Sequence, residues 1–235
     1  MANDSFQIID ATFDYIRHGN HLTAGPFRWL VKAGESWIVE CAAESLRTAF
    51  LQRVIGYFPV LTGRILQGRQ QISPEVMSSS NDHRPKMAGA LATANELIPN
   101  LTVIENLALP IQYHKIYPDT ETMNDALNQI IDFMEIGLLT RKHPSQLDRA
   151  SNHRVAFARA LAMQPSLLVL DMIEGELDDE SKAWWSSKIS QMITTPSLLA
   201  PHSAFILGTA SALPSVREFC HLARLKIDSL SIIAQ

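Results

Sequence analysis

Gly34-Glu35-Ser36-Trp37-Ile38-Val39, then Cys41-Ala42-Ala43-Glu44-Ser45-Leu46-Arg47-Thr48, then Thr48-Ala49-Phe50-Leu51-Gln52-Arg53-Val54-Ile55-Gly56 form the stretch that decides the fold. The first piece reads as a turn feeding a buried strand, and the last reads as a helix. A strand, a loop of pattern G-x-x-x-x-G-K-[ST] and a helix together make a phosphate cradle. Here the strand–loop–helix frame is present, while both glycines and the lysine of the loop are replaced. Leu46, Phe50 and Val54 recur at the spacing of one helix face.

Working outward, Phe6–Asp10, Phe27–Val31 and Trp37–Val39 read as strands separated by Gly and Asn turns. Pro59 and Gly63 close the first helix, and Arg64-Ile65-Leu66 reads as another strand. Residues 67–86 are polar and read as a surface loop. Glu121 to Gly137 reads as an amphipathic helix carrying Ala126, Ile130, Ile131, Met134 and Leu138 on one side. Strand–helix alternation returns with a helix from His153 to Met163 and the nearly continuous apolar run Ser166–Asp171, the pattern of a parallel strand buried on both faces. A helix from Asp179 to Ile193, a strand at Ala204–Leu207, and a terminal hairpin of Leu222–Ile227 with Leu230–Ile233 complete the chain. This alternation predicts a mostly parallel α/β sheet.

Composition narrows the function classes. The 235 residues are 46% hydrophobic and 19% charged, with a net charge of −4 and no long Lys/Arg block, which argues against a nucleic-acid partner. Cys41 and Cys220 are isolated thiols without metal or redox spacing, as in a reducing cytoplasm. The start, Met-Ala-Asn-Asp-Ser-Phe, lacks the basic and apolar blocks of a signal peptide, and no apolar run reaches the roughly 18–20 residues of a membrane span. Any membrane role is therefore expected to come through partners. His18-Gly19-Asn20-His21 places two histidines close together without a further ligand and reads as a solvated turn, so no metal site is expected.

The order of motifs resembles the ATP-binding subunit of ABC transporters over nearly the whole chain. Gly34-Glu35 stands before the first core strand, and Leu97–Pro110 matches the segment after the Q-loop. Pro144-Ser145-Gln146-Leu147 precedes the signature position, and Arg154–Leu161 matches the helix after it. Leu167–Asp171 matches the Walker B strand, and Leu177-Asp178 the D-loop. The resemblance implies a P-loop NTPase-like ABC-ATPase core with an N-terminal antiparallel β layer and a helical lobe. The whole chain, 1–235, is then one domain. Residues 1–94 and 151–235 form its RecA-like core and β layer, and residues 95–150 its helical lobe.

Departures from the family pattern fall on the chemistry. Cys41, Glu44 and Leu46 replace glycines whose amides would curl around phosphates. Glu44 would also bring a carboxylate toward a polyphosphate, at on the order of 4 kcal/mol for each like-charge pair at ~4 Å and an effective dielectric near 20. Arg47 replaces the lysine and is expected to pair locally with an acid such as Glu44 or to cap nothing at all; Thr48 keeps the magnesium-side hydroxyl. The signature reads Leu147-Asp148-Arg149-Ala150-Ser151, without its paired glycines. Thr93 stands at the Q-loop glutamine, Met172 at the water-polarising glutamate and Ala210 at the H-loop histidine. Asp171 remains, and Tyr15 stands where the family stacks an aromatic on adenine, though packing is its plainer reading.

The resemblance with these departures implies a catalytically inactive, structural or regulatory subunit with no catalytic residue of its own. It would be cytoplasmic and peripheral to the membrane, would dock on an ABC permease or a competent ABC ATPase subunit, and would be able to dimerise. Tyr15, Arg47, Thr48 and Asp171 are its candidate nucleotide-binding residues, with weak Mg-ATP binding expected. Asp148, Arg149, Ala150 and Ser151 form its signature-loop equivalent. A divergent ATPase using Arg47, Thr48 and Asp171, and a scaffold or regulator unconnected to a transporter, are the alternatives.

Overall fold

The computed structural model describes residues 6–75, 87–90, 97–172, 177–195, 204–210 and 214–233. Two sheets organise it. The first is antiparallel, with order β2-β1-β4-β5, built from β1 (Phe6–Arg17), β2 (Asn20–Val31), β4 (Thr62–Gln67) and β5 (Gln70–Ile72). The second has order β10-β9-β3-β8-β7-β6, from β3 (Ser36–Glu40), β6 (Met87–Ala90), β7 (Leu167–Asp171), β8 (Ala204–Thr209), β9 (His221–Leu225) and β10 (Leu230–Ile233). All its pairings are parallel except the terminal hairpin β9–β10. Leu168 and Phe205 are partners, as are Ile38 and Leu207, so the apolar run at 167–171 lies inside the sheet.

Side-chain alternation along the parallel strands divides the interior in two. Ile38, Leu168, Leu170, Phe205 and Leu207 face one core, shared with the helices α2 (Val103–Tyr113), α3 (Thr120–Phe133), α4 (Arg149–Ala162) and α5 (Asp179–Thr194). Trp37, Val39, Leu167, Val169 and Ile206 face the other, shared with the antiparallel sheet and α1 (Glu44–Val54). Both faces are covered, which is why the strands read as unbroken apolar runs rather than alternating ones. A short helix, α6 (Pro214–Arg217), precedes β9.

α1 is packed between the two sheets. Phe50 meets the rings of Phe13, Phe27 and Trp29 at centroid distances of 6.2, 5.6 and 6.0 Å. These contacts seat the helix on the β layer and fix where its first turn points.

Several expected boundaries move. The segment expected as a loop over 67–86 contains the end of β4 and all of β5, while 76–86 lies outside the described residues. The helix expected to reach Gly137 stops at Phe133, because Glu135 adopts a left-handed backbone, φ 56°. Leu138, expected on the apolar face, is 96% exposed on a following 3-10 turn, and Leu127 takes the buried place instead. Of the adjacent tryptophans, Trp185 is core, edge-on to Phe157 at 5.5 Å.

Candidate functional site

β3 ends at Glu40, and the chain turns through Cys41, Ala42 and Ala43 into α1. The Cys41 amide donates to the Thr209 carbonyl at 2.9 Å, tying this turn to the end of β8. Ala43 is the helix N-cap and offers no side-chain acceptor, so Glu44 is the acid beside the helix dipole. Glu44 is exposed and Cys41 is buried. Burial pushes the Cys41 thiol above its ordinary pKa, against a smaller lowering from the Ala43 backbone.

One turn into α1, Arg47 crosses to the end of β7. Its Nε donates to Asp171 Oδ1 at 2.6 Å, while its terminal nitrogens donate to the carbonyls of Cys41 at 3.1 Å and Met172 at 3.0 Å. The Thr48 hydroxyl donates to the other carboxylate oxygen, Asp171 Oδ2, at 2.5 Å. The ion pair is sealed from solvent, with side-chain exposures of 2% and 0% for Arg47 and Asp171. The expected local pairing of Arg47 with Glu44 is therefore replaced by one 124 residues away in sequence. The reason is reach. The Arg47 stem lies on the buried side of α1, facing the sheet, whereas Glu44 projects to solvent.

Gly208 on β8 makes this crossing possible, and reading the sequence for motifs passes over it. A Cβ at Gly208 would sit 2.4 Å from Leu51 Cδ1, 3.1 Å from Asp171 Oδ1 and 3.2 Å from Arg47 Cδ. Its signal is a glycine interrupting an apolar strand, which often marks a close approach.

Of the other candidates, Tyr15 is 5% exposed and packs within the core shared by the β layer and α1. It also borders an open cleft of about 910 Å³ lined by the β1–β2 turn, including His18 and His21, by Ala42–Ser45 and by Arg53. Arg53 donates to the Asp14 backbone and carboxylate at 2.8 and 3.1 Å and stacks over Phe13; burial lowers its pKa. Asp148, Arg149, Ala150 and Ser151 sit at the start of α4, where Asp148 is the N-cap and accepts the Ser151 amide at 2.7 Å. This cap extends the helix upstream of His153, where the sequence reading begins it. Met172 is buried, with its carbonyl held by Arg47. Thr93 lies outside the described residues. Among the described residues, no group of three or more His, Cys, Asp or Glu is placed to hold a metal, and no helix is long and apolar enough to cross a membrane.

A magnesium triphosphate does not fit these side chains as they stand. Both oxygens of Asp171, the Thr48 hydroxyl and the Arg47 guanidinium are engaged with one another. The residues at the helix start, Ala42 to Glu44, add side chains and a carboxylate where phosphate oxygens would approach.

Comparison with known proteins places the chain in a family. The sequence profile of the ABC transporter family matches residues 47–172, more than half of the chain. The chain belongs to the ABC transporter ATP-binding family. Its relatives include the sulfate/thiosulfate import ATP-binding protein CysA of Nitrosomonas europaea, 28% identical over 160 residues, which take in 66% of this chain and 42% of that protein. The spermidine/putrescine import ATP-binding protein PotA of Thermotoga maritima is 29% identical over 148 residues, 63% of this chain and 38% of its own length. The match thus spans less than half of either relative. In three dimensions, an ATP-binding cassette solved as a dimer bound to ADP and Pi superposes with a TM-score of 0.76 at 18% identity. That alignment covers 98% of this chain and 99% of the cassette. At that identity the likeness carries the ABC-ATPase fold, an α/β P-loop core, and the family match carries the membership.

Proposed function

We propose that this chain is a catalytically inactive ABC ATP-binding-subunit-like protein, a structural or regulatory component of an ABC transport complex. One observation carries the reading: Arg47 and Asp171 satisfy each other inside the protein, with Thr48 closing the second carboxylate oxygen. Phosphoryl-transfer catalysis rests on positioning and on charge stabilisation around the γ-phosphate and its metal. In this chain the groups that would supply them are bonded to one another. Met172 stands where an acid would orient the attacking water, and a thioether cannot accept its proton.

On this reading Arg47 does within the protein what a bound cation would do elsewhere, neutralising a carboxylate at the end of a parallel strand. The site is then an internal brace that joins the turn after β3 to the end of β7. Residues 1–235 act as one unit, with 95–150 as the helical lobe and 148–151 as a signature-loop equivalent capped by its own Asp148. The relatives' names, import ATP-binding proteins, support a place at the cytoplasmic face of a transporter beside a permease or a competent ATPase subunit.

A second reading, a divergent ATPase, is favoured by the open cleft of about 910 Å³ that borders Tyr15, Ser45 and Thr48. Two measurements separate the readings. Affinity capture of the chain from detergent-solubilised native cells is expected to bring down an ABC permease or ATPase subunit identified by mass spectrometry. The purified chain is expected to hydrolyse no ATP above background. Turnover that disappears in Asp171→Asn would establish the second reading, and capture of neither kind of subunit would remove the first.

A further inference from the structure

The helical side of the molecule carries a second charged cluster, which shares no residue with the Arg47–Asp171 pair. Glu135 follows the C-cap of α3 in the left-handed region, φ 56°, where a side chain is disfavoured and glycine is the usual occupant. Its carboxylate spans two partners on α5: Trp184 Nε1 donates to Oε2 at 2.8 Å, and Lys188 Nζ lies 2.8 Å from Oε1. The Arg154 guanidinium, from α4, stacks over the Trp184 ring at 3.8 Å. Lys188 also lies over the rings of Phe133 at 5.1 Å and Trp184 at 5.5 Å. The lysine stem is well packed, with the side chain 12% exposed.

We propose that Glu135, Trp184, Lys188 and Arg154 form a latch that fixes the end of α3 and the adjoining turn at Gly137–Leu139 onto α4 and α5. The cluster ties three helices by their ends and flanks. It sits two residues before the turn that presents Leu138, so it sets where that exposed apolar side chain points. The bonds from Lys188 and Trp184 also hold the Glu135 carboxyl below its ordinary pKa, so the anion is the bonded form. This inference goes beyond the proposed function, because it holds whether or not the chain binds nucleotide.

The unfavourable backbone of Glu135 supplies a discriminating test. Glu135→Gly removes the carboxylate and at the same time relieves the left-handed conformation. If the residue only ends a helix, the change leaves the α3 region unchanged or makes it more protected. If it holds the latch, the region loosens. Hydrogen–deuterium exchange of the full chain, read by mass spectrometry, is expected to show amides of 120–139 exchanging about tenfold faster in Glu135→Gly, the loss typical of hydrogen bonds to a charged group. Exchange in β7 and β8 is expected to stay unchanged. Lys188→Met keeps the apolar stem over Phe133 and Trp184, removes the ammonium, and is expected to loosen the same segment to a smaller extent. Unchanged or slower exchange of 120–139 in both variants overturns the latch. So does a uniform acceleration that includes β7 and β8, which would reflect global stability alone.

Discussion

At the scale of single residues, the buried pair dominates. Removing one partner of a sealed ion pair leaves the other charge without compensation, typically at about 3–5 kcal/mol. Arg47→Ala and Asp171→Ala are each expected to lower stability by that order in urea unfolding. Arg47→Lys is expected to lie between wild type and Arg47→Ala, since an ammonium cannot reach Asp171 and the Cys41 and Met172 carbonyls together as the guanidinium does. Wild-type stability in Arg47→Ala would contradict the bracing role. Gly208→Ala is expected to cost about 1–3 kcal/mol through overpacking against Leu51 and the pair. The cysteines should be silent: both are buried, and burial raises the Cys220 thiol to about 12. Native protein at mildly alkaline pH is expected to resist alkylation at Cys41 and Cys220, with both labelled only after unfolding, as mass spectrometry would register. The identities Arg47, Thr48 and Asp171 were legible as a group from the sequence, through motif order. Their mutual bonding was not, because nothing in a local pattern tells an arginine on α1 to prefer an acid 124 positions later over one three positions before it.

At the scale of elements, three helices share one device. Asp119, Asp148 and Asp178 cap α3, α4 and α5, each accepting an amide three residues on at 2.7 Å. Those amide bonds are the leading cause of the lowered pKa of each carboxyl. A depressed folded pKa gives stability that is complete above the ordinary value of 3.8 and is lost as pH falls through the lowered one. Asp148→Ala is therefore expected to cost about 1 kcal/mol at neutral pH, with the difference from wild type closing as acid protonates the cap. A gap that persists at the acid end would show that Asp148 acts by some means other than its charge-assisted cap. Strands β7 and β8 could be read from sequence because burial on both faces leaves an apolar run that only a core strand explains. Helix ends were less legible. The start of α4 carries the Asp148-x-x-Ser151 cap, which is a local signal that a motif reading overlooks. The end of α3 is set by the backbone of Glu135, and the apolar spacing that continues to Leu138 gives no hint of it.

At the scale of the molecule, the frame and the site answer to different pressures. The two cores on either side of the parallel sheet depend on burial, so a sequence can keep them with ordinary apolar residues. A nucleotide site needs particular groups left unpaired until the ligand arrives, and here Arg47, Thr48 and Asp171 are already paired. That contrast gives a whole-protein prediction. A ligand that binds only the folded state stabilises it by about 2.7 kcal/mol when its concentration is a hundredfold above Kd. For a chain of this size, each kcal/mol corresponds to roughly 2–4 °C in Tm. Mg-ATP at millimolar concentration would therefore raise Tm by roughly 5–11 °C if its Kd were on the order of 10 μM. The expected rise is under about 1 °C, because a triphosphate entering the site must first break the Arg47–Asp171 bond and leave a buried charge to be matched again. Differential scanning fluorimetry of the full chain with and without Mg-ATP measures this directly, with Arg47→Ala run in parallel. A rise of several degrees in wild type would show that the pair opens for nucleotide and that the brace is a gate rather than a substitute for the ligand.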